Sequence, residues 1–578
     1  MNNNSFIKFR NIFLSIILFH TTFSVFSVIA EAPTAGDILR NRENFEKKQN
    51  IPENIPESLL EKDKFIDTLE GDQKILVKEF KFIGELDFVS IDILQGLIRE
   101  FNGKELNFGE IQSVVNIINR YFQNQDFLVA RAYLPKQEVK DNTILIAIYE
   151  GRLDINQPYR IIPNNLKFKE DKVFGYLDKA LERGLTYNAL ERAILNLNDN
   201  PGLTVKASLE PGSETGETKI VLDIVEGKFI TYDASVNNHG SRYTGKNRAI
   251  TNIFFNNPSS IGDRLNLNLS KSDEDFESFE IAYNFPIGED GLRIETSYNY
   301  FDYKIGKELT SSKILGEAEN YKINARYPFY RTSLESLFFD VTYTEKFLYS
   351  ETASVATSDK ELRNIILGSE WNKVDNIFGG GFTQVKPSVT FGDLDLSKVS
   401  TSLSSDRTGA RTNGSFEKTA IDIARIQKIN DNLNLHLFAT TQFASKNLDS
   451  SEKMSLGGPA GVRAYPVGEA TGDEGYRYSL DAKYGVINPK HFDSLTAIAF
   501  YDFGMVTQYS DLTNLSVSNN TYSLEGYGIG FEATKGESIS IKASLAKAIG
   551  GNPGAVGGKN TDGLTDDEQL FISISAKF

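Results

Sequence analysis

Cysteine is absent from all 578 residues, so disulfides, thiolate metal centres and thiol chemistry are excluded. Histidine is scarce, with His20, His239, His436 and His491 showing no HExxH or other metal spacing. No GxSxG elbow occurs, which argues against a lipase. The glycine-rich stretch 550–559 (GGNPGAVGGK) imitates a phosphate loop. However, Pro553 stands where the first glycine belongs, and Asn560 follows Lys559 where Ser or Thr is needed. Positive charge is in deficit, with 62 Lys and Arg against 78 Asp and Glu and a net charge of −16, so nothing suggests nucleic-acid binding. Beyond the first thirty residues no run approaches eighteen apolar residues, so no transmembrane helix is expected. The chain predicts no catalytic residues, no metal site and no cofactor.

The first thirty residues set the compartment. Lys8 and Arg10 precede a short apolar run, Ile12 to Phe19, and Val28-Ile29-Ala30 offers a cleavage point before Glu31. Segment 1–30 therefore reads as a secretory signal, with a membrane anchor as the alternative. An exported chain without a spanning helix is either soluble or a β-barrel, the other fold that satisfies every backbone amide in lipid. Composition favours the barrel. Aromatics make up 11% of the chain, with 40 Phe and 25 Tyr against one Trp. Hydrophobic content is only 40% and mean hydropathy is −0.31, as expected when alternate residues face lipid.

Residues 31–48 read as a polar helix with Ile38, Leu39 and Phe45 as its apolar anchors; a disordered tail is the alternative. Pro52 and Pro56 stiffen a linker over 49–73. Two small α+β units follow, at 74–152 and 153–228. In the first, a strand is expected over 75–83 and a helix near Ile91 to Ile98. A second, amphipathic helix carries Ile111, Val114, Val115, Ile118 and Phe122, and strands follow at 128–134 and 143–149. The second unit repeats that order and ends in the same apolar strand plus Glu-Gly, at Glu150-Gly151 and again at Glu226-Gly227.

From residue 229 the period becomes two. Leu292, Ile294, Thr296, Tyr298 and Tyr300 alternate with Arg293, Glu295, Ser297 and Asn299, and similar runs recur to the end. Over 229–578 that gives about sixteen antiparallel strands of ~10 residues, an all-β transmembrane barrel in contact with outer-membrane lipid. The last run alternates Leu570, Ile572, Ile574 and Ala576 with Phe571, Ser573, Ser575 and Lys577, and it ends in Phe578.

The β-α-α-β-β units resemble polypeptide-transport-associated (POTRA) domains. With the barrel they resemble the two-partner secretion (TpsB-type) outer-membrane transporters of the wider POTRA-plus-barrel superfamily. The likeness is carried by Val236 to Ser241, by Asn256-Asn257-Pro258 and Gly262-Asp263-Arg264-Leu265, and by two longer motifs. Gly461, Val462, Arg463, Ala464 and Tyr465 look like the family's Val-Arg-Gly-Tyr motif at the tip of the sixth loop, with Ala464 in place of its glycine. Phe500, Asp502 and Gly504 look like its Phe-x-Asp-x-Gly motif on a barrel strand. Parity in 495–503 puts Leu495, Ala497, Ala499, Tyr501 and Phe503 toward lipid, and so Asp502 inward, within reach of Arg463.

The resemblance implies a bacterial outer-membrane pore with periplasmic POTRA repeats. It would secrete a large partner protein carrying a secretion domain, an adhesin or haemolysin for example, and helix 31–48 and loop 461–466 would occupy the resting pore. Strand edges near Leu128, Val129, Arg131 and Tyr133, and near Val205 and Lys206, are candidate docking sites for the partner. The terminal Phe578 implies recognition by the barrel-assembly machinery. A barrel-assembly insertase is the main alternative, and a plain porin leaves 74–228 without a purpose.

Overall fold

The computed structural model describes residues 32–49 and 73–578 apart from 87–88, 164–165, 183, 215, 488 and 537. The signal 1–30 and nearly all of the 49–73 linker lie outside the described residues. Helix α1 (Ala35–Gln49) comes first, with Ala35, Ile38 and Leu39 buried on one face.

Two α+β modules follow. The expected single strand over 75–83 is two strands, β1 (Lys74–Val77) and β2 (Glu79–Gly84). Val77 and Phe80 are both buried although three residues apart, so the period of two breaks at Lys78 and the chain changes sheets there. After α2 (Ile91–Ile98), an additional strand β3 (Lys104–Asn107) pairs antiparallel with β1. Helix α3 (Phe108–Asn124) begins with a capping box in which Asn107 and Glu110 satisfy each other's backbone amides. Strand β4 is only Arg131–Tyr133, shorter than the expected 128–134. It flanks β5 (Thr143–Tyr149) in the order β2-β5-β4.

The second module holds β6 (Arg152–Leu153), β7 (Tyr159–Ile162), α4 (Glu170–Leu181), α5 (Tyr187–Asn198), β8 (Leu203–Pro211) and β9 (Glu217–Glu226). β9 is central, parallel to β6 and β7 and antiparallel to β8.

Sixteen antiparallel strands then close a barrel. Closure pairs the first strand (Ile230–Asn237) with the last (Glu568–Lys577) over Asp233↔Lys577 to Asn237↔Ser573. Period two sorts the side chains: Leu269, Ile323, Val341, Ile365 and Leu367 are exposed on the outside. Asn299, Thr344, Lys346, Asn364, Gln442, Arg477 and Asp502 are buried on the inside. Strand length departs from the expected ten. Ile314–Arg331 and Glu335–Thr352 have 18 residues and Val355–Asp375 has 21, so this side of the wall extends well past the ~10 residues a bilayer requires.

Candidate functional site

The lumen is filled by two elements, α1 and the loop 445–473 between the strands Leu433–Ala444 and Glu474–Gly485. Counted from the first strand, this is the sixth loop at the end opposite the modules. A two-residue pairing, Met454–Ser455 with Thr471–Gly472, closes the loop's base. At its tip Val462 donates its amide to the Leu456 carbonyl (2.7 Å) and Tyr465 donates to Val462 (3.2 Å). Gly461 is needed there, since a Cβ would stand 1.8 Å from the Leu456 oxygen.

The turn delivers Arg463 to the wall. Its Nε and Nη2 donate to the two oxygens of Asp502 (2.8 and 2.7 Å), and its backbone amide adds a third bond at 2.9 Å. Nη2 also reaches Asp481 Oδ1 (2.5 Å) and Ser479 Oγ (3.1 Å), and Ser479 in turn donates to Asp502. The guanidinium carbon lies over the Phe500 ring, 3.5 Å from its centre and within cation–π range. Gly504 makes room for Leu456, whose Cδ2 would be 2.7 Å from an added Cβ. Phe500, Asp502 and Gly504 therefore supply the face, the charge and the space that one loop tip requires. Tyr465 and Val462 are buried beside it. Ala464 is also fully buried and not at positive φ, so no glycine is required at that position. Its methyl faces Gly526 on the neighbouring strand, where a Cβ would come within 2.5 Å of it.

Further anchors tie the loop to the wall. Glu452 accepts from Lys346 (3.1 Å), Asn364 (2.9 Å) and Lys418, and Asp449 accepts from Lys360 (2.6 Å). Lys346 is shared, because it also pairs with Glu43 of α1 at 3.0 Å. The helix has its own wall contacts: Arg42 pairs with Glu280 and donates to Ser278 Oγ (3.2 Å), and Lys47 stands 4.0 Å from Asp422. Toward the loop, Arg40 Nη1 donates to the Ser450 carbonyl (2.6 Å). Ile38 and Leu39 pack on Phe276, Phe301, Tyr303 and Leu348.

The strand-edge candidates fare differently. Leu128 and Val129 are not on an open edge: they are buried in the core of the second module. The Leu128 amide donates to Leu185 (3.3 Å), and Asp126 accepts from the Tyr187 and Asn188 amides (both 3.1 Å), so this segment joins the modules. Val205 is buried as well. Arg131 and Tyr133 reach the surface, Tyr133 stacked on Tyr149, and Lys206 is exposed. Both backbone edges are also capped, β4 at its central residue and β8 at one residue of nine. Asn119 of α3 exchanges two bonds with Ala132 of β4 (2.8 and 2.9 Å), and Asn198 of α5 does the same with Val205 of β8 (2.7 and 3.0 Å). An asparagine amide has the donor and acceptor of a peptide group, so in both modules it takes the place an added strand would occupy.

Residues 216–533 match the family described as "Haemolysin secretion/activation protein ShlB/FhaC/HecB", and residues 75–151 match "POTRA domain, ShlB-type". Among curated relatives, the "Heme/hemopexin transporter protein HuxB" of Haemophilus influenzae strain 86-028NP is 27% identical over 473 residues, covering 80% of this chain and 82% of HuxB. The "Outer membrane transporter CdiB" of Dickeya dadantii is 18% identical over 416 residues, 69% of this chain and 70% of that protein. The solved structure of CdiB from Escherichia coli shares the fold, with a TM-score of 0.71, 16% identity, and coverage of 95% of this chain and 100% of that one.

Proposed function

The chain belongs to the haemolysin secretion/activation family ShlB/FhaC/HecB, and from that premise we propose that it is the outer-membrane pore of a two-partner secretion pair. A partner protein with a secretion domain binds the periplasmic modules as an extended chain and then threads the lumen. The observation that carries this reading is the double occupancy of the lumen: α1 and the loop tip are held by ion pairs and hydrogen bonds that can exchange for water when the pore opens. A polar passage of this kind suits an unfolded chain.

Asn119 closes the three-residue β4 edge and Asn198 takes both peptide groups of Val205 in β8, so we assign the docking edge to β2, on the other side of the first sheet, where a side-chain amide takes one carbonyl alone. Gln95 occupies the Phe80 carbonyl (2.8 Å), and the remaining groups of the strand can add a partner by main-chain hydrogen bonds. The exposed Phe279, Ile281, Tyr321, Ile323 and Phe339 form the face that meets outer-membrane lipid. The terminal Phe578, stacked on Tyr232 at 4.9 Å, is the residue the barrel-assembly machinery reads before the barrel closes.

Family membership favours export of a partner over the insertase alternative. Depleting the chain should abolish export of one partner protein and leave the levels of other outer-membrane barrels unchanged. A collective fall in those barrels would assign it to assembly instead.

A further inference from the structure

A cavity of about 430 Å³ lies between α1, the sixth loop, the first two barrel strands and the last hairpin. Arg40, His239, Lys246 and Arg248 line it. Arg40 Nε, Arg248 Nε and His239 Nδ1 are buried there without a hydrogen-bond partner. The Arg248 guanidinium carbon lies over the Phe276 ring, 4.6 Å from its centre, with Nε unpartnered. Of the other charges around the cavity, Asp37, Arg242 and Lys307 are ion-paired, while Asp273 and Asp562 are hydrogen-bonded to neutral groups and keep their charge. Asp37 pairs with Arg40 (2.8 Å) and accepts from Thr34 (2.7 Å). Asp273 accepts from Asn247 (2.6 Å), and Asp562 from the Leu564 amide (3.1 Å). Arg242 pairs with Glu308 (2.7 Å), and Lys307 pairs with Glu274. Among the described residues, Lys246 and Arg248 are left with no carboxylate at ion-pair distance.

The Nε–H groups of Arg40 and Arg248 are buried donors without partners, an arrangement that an incoming acceptor stabilises. The donors come from two bodies, Arg40 from the helix and Lys246 and Arg248 from the wall. We propose that this cavity is an oxyanion site, taking a free tetrahedral dianion such as sulfate or phosphate, and that the bound anion fastens α1 inside the lumen. The inference rests on the reading of α1 as a removable plug. The oxyanion bridges the remaining donor of Arg40, whose other edge is paired with Asp37, to the Lys246 and Arg248 cations across the helix–wall seam.

The test is single-channel recording of the full chain in zwitterionic bilayers, comparing sodium chloride with sodium sulfate at equal ionic strength so that screening is matched. Sulfate should lower the frequency of full opening roughly tenfold, the change that one charge-assisted contact is worth. Arg248→Gln should erase the difference and Arg248→Lys should keep most of it. Lys246→Gln, on an exposed residue with little risk to folding, should reduce it. A parallel arm with lipopolysaccharide in the outer leaflet and chloride alone separates a lipid phosphate from the free ion. An effect confined to that arm overturns the proposal, as does equal opening in both salts or an undiminished sulfate effect in the Arg248→Gln, Lys246→Gln double variant. Deleting 31–48 tells the two readings apart. If deletion leaves conductance unchanged, the plug reading fails; if deletion raises conductance and sulfate still does nothing to the full chain, the oxyanion site alone fails.

Discussion

Arg463 is held by shape as well as by charge. Its fork reaches Asp502 and Asp481 together while its flat face rests on Phe500. A lysine keeps the charge and offers neither the fork nor the face. Arg463→Lys should therefore lose as much export as Arg463→Ala, with the barrel still inserted and heat-modifiable on gels. Removing one member of a buried pair costs about 3–5 kcal/mol, enough to undock a loop tip of a few residues. Export at the unaltered level in the lysine variant would show that charge alone suffices. Much of this site is legible in the sequence, because strand parity by itself turns Asp502 and Phe500 inward. The same count along 478–486 turns Ser479 and Asp481 inward, so the second carboxylate follows once the first is placed. Lys346 is different. It serves both Glu43 and Glu452, partners some 300 residues and some 100 residues away, and no local period joins them.

At the scale of elements, the paired asparagines are the least expected feature. Asn119 and Asn198 sit on the second helix of each module and close equivalent strand edges, although the strands they close share no sequence pattern. Replacing Asn119 with alanine leaves the Ala132 amide and carbonyl without these bonds, at about 1–3 kcal/mol for each group that stays buried. We expect Asn119→Ala to speed hydrogen exchange at Ala132 and to raise self-association of the chain through the freed edge. Unchanged protection at Ala132 would mean that water replaces the asparagine at no cost. The helices, the barrel strands and the Glu-Gly exits were readable because each repeats a local period. The break between β1 and β2 and the transfer of Leu128 and Val129 to the neighbouring core were not. A hydrophobic residue signals that it will be buried, and nothing in the pattern says against which module.

Taken whole, the molecule has its second module bound to the barrel's periplasmic turns. Arg192, almost fully buried, donates to Asp290 (3.0 Å), and Tyr327 donates to the other oxygen of that carboxylate (2.6 Å). Lys172 pairs with Glu289 (2.5 Å), Arg331 with Asp199 (2.7 Å), and Arg293 donates to Asn200 (2.9 Å). Gly262 and Gly291 let these turns approach so closely that an added Cβ would overlap Asn200 and Asn196. These contacts hold the module at several turns of the barrel at once, so the module should stay docked while the partner passes and only the lumen should rearrange. The absence of cysteine makes this testable on a clean background. A Cβ built on Gly175 in α4 lies 3.6 Å from the Glu289 Cβ, within the range a disulfide spans. Gly175→Cys with Glu289→Cys should form a bridge in the oxidising periplasm, seen as a reductant-sensitive shift in gel mobility. Export should continue with the bridge closed. If export stops when the bridge forms and returns on adding reductant, the module must swing away during transport, and the docked arrangement is only the resting state.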